Sequence, residues 1–291
     1  MSPGDRIAEH FFSVQNDLGE GPRWHTEQQK LYWVDIERGQ IHSLEWRSKA
    51  HQIHEIGVAV GCLAFRQSGG LVLATADGFC YWSAREGIAP IIDPRQGDGE
   101  GRFNDGAIDR KGRFWAGTMT PQGAVNSLYR LSPSGRVERM EQGIGISNGM
   151  GWSPEGDVFY FTDSPAKTIY AYDFDPSDGR ISNKRMWVHT PDEPGVPDGL
   201  AVDQDGCVWS ARWDGWKIDR YDPDGNRLQE VRLPCQRPTS CTFGGEDLNT
   251  LIITSARVDL DDEALKEQPL AGDLFCYDAG IKGVGETFFA G

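Results

Sequence analysis

The chain has 291 residues with 44 acidic against 29 basic side chains, and its formal net charge of −15 repels phosphate backbones and anionic lipid headgroups, which argues against nucleic acid and membrane surfaces as partners. Thirty-six glycines, 16 prolines and 10 tryptophans with few helix-forming runs describe many short strands and tight turns, so one all-β domain over residues 1–291 is expected rather than two ordinary domains. No run of about 20 apolar residues spans a bilayer, and Met1 to His10 lacks the apolar centre of a secretory signal, so a cytoplasmic location is expected.

The first unit begins at Glu20-Gly21-Pro22-Arg23-Trp24 and passes through a polar turn into Lys30-Leu31-Tyr32-Trp33-Val34. The same polar, small, apolar order returns at Gly61-Cys62-Leu63-Ala64-Phe65, Asn104-Asp105-Gly106-Ala107-Ile108, Asn148-Gly149-Met150-Gly151-Trp152, Asp198-Gly199-Leu200-Ala201-Val202 and Thr239-Ser240-Cys241-Thr242-Phe243. The last residue of each, from Trp24 through Phe65, Ile108, Trp152 and Val202 to Phe243, recurs after 41, 43, 44, 50 and 41 residues. Second apolar runs follow at Arg113–Ala116, Val158–Phe161 and Leu251–Thr254, after turns marked in three units by Gly112, Gly156 and Gly206. Third runs lie at Leu128–Leu131, Ile169–Tyr172, Ile218–Tyr221 and Leu274–Tyr277, and more polar fourth runs include Arg136 to Met140 and Leu228 to Leu233. Four strands per unit and six units predict an all-β six-bladed β-propeller with four-stranded antiparallel blades around a central channel. Either Glu9 to Val14 or Gly285 to Ala290 can supply the strand that closes the ring, and the insert Asp259 to Pro269 reads as a solvated loop, with one or two helical turns as the alternative.

In a propeller the first strand of each blade lines the channel, so equivalent positions converge on the axis. The ring reads Glu20, Gly61, Asn104, Asn148, Asp198 and Thr239. Carboxylate and carboxamide oxygens without His or Cys make a donor set for a hard divalent cation such as Ca²⁺, Mg²⁺ or Mn²⁺, with Zn²⁺ and Fe²⁺ left open. His10, His25, His42, His51, His54 and His189 sit away from these positions, and no Ser occupies a Gly-flanked nucleophile elbow. Cys62, Cys80, Cys207, Cys235, Cys241 and Cys276 lack the paired spacing of thiolate metal sites and are expected as free thiols. Gly99-Glu100-Gly101-Arg102-Phe103 brings a guanidinium to the channel mouth, and Trp213 and Trp216 are candidates to wall a sugar site.

These blocks, together with Leu18-Gly19-Glu20-Gly21-Pro22, Arg102-Phe103-Asn104-Asp105-Gly106, Ala116-Gly117-Thr118-Met119, Ile146-Ser147-Asn148-Gly149, Ile181-Ser182-Asn183, Pro197-Asp198-Gly199 and Pro238-Thr239-Ser240-Cys241, resemble in order the senescence marker protein 30, gluconolactonase and luciferin-regenerating enzyme family. The resemblance covers nearly the whole chain. It implies one divalent metal held by Glu20, Asn148 and Asp198, with Asp198 also the acid/base residue, and Arg102 and Asn104 contacting an aldonolactone that is opened to its sugar acid. Where some relatives carry an acidic residue after Gly-Thr-Met, this chain has Thr120-Pro121-Gln122, and Gln122 is the group there able to hydrogen-bond sugar hydroxyls. The expected activity is a metal-dependent lactonase of gluconolactonase or pentonolactonase type acting on a small sugar lactone. Its rivals are a phosphotriesterase-like hydrolase using the same metal and a non-catalytic propeller that binds a partner. The sequence leaves the native metal and the oligomeric state open.

Overall fold

The computed structural model describes residues 6–95, 101–120 and 125–291. Its strands form six four-stranded antiparallel sheets. The first five blades each use four consecutive strands: β2–β5 (Gly19–His25, Lys30–Asp35, Gln40–Glu45, His51–Glu55), β6–β9 (Val60–Phe65, Leu71–Thr75, Gly78–Ser83, Gly87–Ile92), β10–β13 (Arg102–Ile108, Phe114–Met119, Asn126–Leu131, Val137–Ile144), β14–β17 (Ser147–Trp152, Val158–Asp163, Thr168–Asp175, Arg180–His189) and β18–β21 (Val196–Val202, Val208–Trp213, Lys217–Tyr221, Arg227–Arg232). The sixth combines β22 (Pro238–Gly244), β23 (Thr250–Ser255) and β24 (Leu274–Asp278) with the N-terminal β1 (Glu9–Phe12), which pairs antiparallel with β24. The chain is therefore an all-β six-bladed β-propeller, as the period predicts.

Burial follows the distance from the axis. The innermost strands β6 and β22 are buried along their whole length, because each lies between two neighbouring blades. Outermost strands are mostly open to solvent, and charge blunts edges such as Arg180–His189, whereas β9 (Gly87–Ile92) is uncharged and carries Pro90. First strands of adjacent blades touch all the way round, from β2 through β6, β10, β14, β18 and β22 back to β2, which leaves a channel between them.

Of the two candidate closing segments, Glu9–Phe12 completes the sixth blade. The C-terminal segment instead crosses one end of the channel. Phe289 donates its N–H to Phe65 O at 2.8 Å, Ala290 to Gly112 O at 3.1 Å and Gly283 to Leu248 O at 2.8 Å, tying blades two, three and six together. The Phe289 ring is fully buried in the core shared by blades two and three. The insert expected as a loop contains a short helix, α1 (Asp262–Glu267), whose N-cap Asp261 accepts from Ala264 N at 2.9 Å, with Asp262 and Glu263 against the positive end of the dipole. Its apolar content is too low for periodicity to reveal it. No helix among the described residues is long and apolar enough to cross a membrane.

Two turns between first and second strands are held by buried aspartates five residues beyond the ring position. Asp203 accepts from Cys207 N (2.9 Å), Trp209 Nε1 (2.9 Å) and Arg220 Nη2 (2.7 Å), and Gly206 supplies the left-handed turn residue at φ +79°. Asp109 makes the matching contacts with Arg113 and Trp115. Replacing Asp203 by Ala leaves the indole N–H unpaired and Arg220 with only the exposed Asp205 at 3.9 Å, so a loss of about 3–5 kcal/mol is expected from denaturant melts. A loss under 1 kcal/mol would show that the turn holds without its anchor.

Candidate active site

All six first strands break register with their second strand at the ring position. The shifts fall between Glu20 and Arg23, Val60 and Cys62, Phe103 and Gly106, Asn148 and Met150, Pro197 and Leu200, and Pro238 and Ser240. A β-bulge leaves a residue unpaired and re-aims its side chain; Glu20, Asn104, Asn148 and Asp198 face the cavity on the axis, whereas blade two has Gly61 there and Thr239 of blade six turns to Gly19 O and Thr254 Oγ1. Close approach explains the glycine next in line: a Cβ on Gly149 would stand 2.6 Å from Asp198 O and 2.7 Å from Leu200 N of the adjacent blade.

Glu20, Arg102, Asn104, Asn148 and Asp198 line one cavity of about 260 Å³ at this end of the channel. Its mouth is apolar, and Leu18, Ile146 and Val196 each lie two residues before Glu20, Asn148 and Asp198, the period that puts residues on one strand face. Arg102 donates to Asn104 Oδ1 at 2.6 Å, and Asn104 Nδ2 donates to Ser147 O at 2.9 Å and to Asn148 Oδ1 at 3.1 Å. Asn148 Nδ2 donates in turn to Ser164 Oγ at 2.9 Å, and Ser164 Oγ donates to Pro197 O at 2.7 Å. The network spends both Asn104 Nδ2 hydrogens on Ser147 O and Asn148 Oδ1, and it leaves Asn148 Oδ1 and Asn104 Oδ1 one acceptor lone pair each. Arg102 keeps most of its N–H donors.

Carboxylates dominate the floor. Glu20 Oε2 accepts from Gly21 N at 2.8 Å, whereas Asp198 Oδ1 is buried without any hydrogen-bond partner. Burial, reinforced by Asp105, raises Glu20 from 4.5 to about 8. Burial also holds Asp198 well above the carboxylate range, with Glu20 and then Asp105 adding to the effect. An orphaned carboxylate oxygen beside a second buried carboxylate and a carboxamide oxygen fits a divalent cation with oxygen preference. Among the described residues no three His, Cys, Asp or Glu side chains form a group able to hold a metal. The set at the cavity floor depends on Asn148 for its third oxygen.

Two channel residues were not singled out from the sequence. Asp105 is buried beside Asn104 because the β10 bulge leaves both without register partners, so alternation cannot assign its face. Arg23 donates to Gly106 O and lies 3.5 Å from Glu286 of the C-terminal segment, continuing the charged channel toward its far end. Of the two tryptophans considered for a sugar wall, Trp213 lines the cavity; Trp216 does not and is 43 % exposed. Gln122 and Glu100 lie outside the described residues. The histidines stay off the ring, although His42 is buried in β4, stacked on Trp33 and bonded to His51 at 3.0 Å. All six cysteines are free.

Known proteins share this arrangement of sequence and fold. The chain is 38 % identical to the pentonolactonase XacC of Haloferax volcanii over 277 residues, covering 91 % of this chain and 92 % of that one. It is 36 % identical to a 6-deoxy-6-sulfogluconolactonase of Pseudomonas putida, covering 94 % and 95 %. The structure of a calcium-binding protein, regucalcin, from Agrobacterium tumefaciens superposes with a TM-score of 0.90 at 27 % identity, covering 97 % and 98 %. Residues 18–257 match the family model described as the SMP-30/Gluconolactonase/LRE-like region. On that match and on relatives 36–38 % identical over nearly the whole chain, the chain belongs to the SMP-30/gluconolactonase/LRE-like family of sugar lactonases.

Proposed function

We propose that the chain hydrolyses a five- or six-carbon aldonolactone to its aldonic acid, using a divalent cation held by Glu20, Asn148 and Asp198. The observation that carries this reading is the unpartnered Asp198 Oδ1 at the floor of a cavity walled by hydroxyl-binding and apolar groups. Lewis-acid polarisation of an ester carbonyl is the chemistry a divalent cation at these oxygens supplies. The Asp198 carboxylate accepts a proton from the attacking water and returns it to the ring oxygen as the ester C–O bond breaks. Arg102 binds substrate oxygens with the N–H donors not engaged by Asn104, and Asn104, which also holds Asn148 and Arg102 in place, contacts the substrate from the same wall. Gln122 is proposed as a further hydroxyl contact. Pentonolactone and gluconolactone-type substrates are favoured by the names of the relatives.

The test is a pH-indicator assay of the metal-stripped protein on xylono-, arabinono-, galactono- and gluconolactone, repeated with Ca²⁺, Mn²⁺, Mg²⁺, Zn²⁺ and Fe²⁺ and with one organophosphate triester. Cation-dependent turnover of at least one aldonolactone, well above the triester rate, is expected. Faster turnover of the triester, or no acid release with any cation, overturns the reading.

A further inference from the structure

Arg102 has a counterpart across the channel mouth. Counting two residues back from each ring position gives Leu18, Ala59, Arg102, Ile146, Val196 and Arg237, so the two arginines stand three blades apart. Arg102 lines the cavity; Arg237 does not. Arg237 Nε donates to Asp214 Oδ1 at 2.7 Å, its Nη1 donates to Val258 O, and its guanidinium stacks 4.8 Å from the centre of the Trp213 ring. Asp214 also accepts from Gln236 Nε2 at 2.9 Å. The loop that carries Asp214 is left-handed at Asp214 (φ +56°) and Trp216 (φ +62°). Trp213 thus enters the cavity with its orientation fixed by a cation on the ring and a carboxylate behind that cation.

We infer that Trp213, clamped by Arg237, is the residue that selects a carbohydrate ring in this cavity, a role that rests on the lactonase reading for its substrate class. A sugar lactone presents C–H bonds on its ring face and hydroxyls around its edge. The indole offers an apolar surface to the former, while Arg102, which lines the same cavity, offers donors to the latter. Arg237 is a positioning residue: it touches the indole and not the cavity.

The experiment pairs steady-state kinetics on aldonolactones with calorimetric binding of 1,5-anhydroglucitol, a sugar ring that cannot be hydrolysed, to the cation-loaded protein. Trp213→Leu is expected to raise KM about tenfold with little change in kcat and to weaken anhydroglucitol binding similarly, with Trp213→Phe recovering most of both. Arg237→Met is expected to raise KM about threefold alone and to add nothing in the Trp213→Leu background. Unchanged KM and binding in a folded Trp213→Leu protein overturns the inference, as does a penalty from Arg237→Met that persists without the indole. Loss of sugar binding in Trp213→Leu when the parent protein opens no lactone sustains the platform and refutes the lactonase. Absence of sugar binding by the parent protein refutes the platform itself.

Discussion

Asp198→Asn is expected to fold normally and to lose turnover by about 10³-fold or more. Asparagine matches the shape of the side chain, so the β18 bulge and the contact of Gly199 with the next blade are undisturbed. What disappears is the proton acceptor and one of two negative charges at the cavity floor. The stability consequence has the opposite sign. In the parent protein Asp198 Oδ1 is buried with no partner, and a neutral amide there removes a buried acid that neighbouring carboxylates oppose. Metal-free Asp198→Asn should therefore melt no lower than the metal-free parent, while losing the upward shift that cations give. Near-normal turnover in a folded Asp198→Asn protein refutes its role as proton acceptor.

The second expected result concerns pH and cation together. In the metal-free chain Glu20 is raised from 4.5 to about 8, chiefly by burial and then by Asp105. A carboxyl whose folded value lies above its unfolded one contributes stability that is fully present below about 4.5 and lost as pH rises through about 8. Each such group costs about 1.4 kcal/mol per pH unit across that window. Thermal melts in chelator should thus fall from pH 5 to pH 8, and Glu20→Gln should flatten the fall. A bound divalent cation favours the ionised carboxylates and removes the trend, adding about 2.7 kcal/mol at a hundredfold excess over Kd. A parent protein whose chelated melting temperature tracks that of Glu20→Gln across this range would show that Glu20 is not the group responsible.

The repeat made the propeller legible because closed blades must place equivalent residues at equivalent depth, and six apolar residues at intervals of 41 to 50 recorded that depth. The same repeat put Glu20, Asn104, Asn148 and Asp198 on one ring, the family resemblance singled out Glu20, Asn148 and Asp198 among them, and the structure brings all four to one cavity with Arg102. Asp105 was not legible. Strict alternation sends it away from the face of Asn104, and only the bulge places both beside the channel. Glycine after Glu20, Asn148 and Asp198 was the available sign that these strands depart from alternation. The choice between the two chain ends was equally closed to pattern reasoning, since both are short and partly apolar. Tertiary pairing decides it: Glu9–Phe12 finds the free edge of β24, while Phe289 finds a hole between two blades.

The path of the last residues has a kinetic corollary. Val284 to Thr287 roof the end of the channel opposite Asp198, and Glu286 reaches inward to Arg23. The Arg23–Glu286 pair stands in the channel at that end, so for a molecule entering past Leu18 and Trp213 the same doorway is the expected way out. For the proposed hydrolysis, the released acid and the incoming lactone queue at a single threshold, and the acid competes directly with its own precursor.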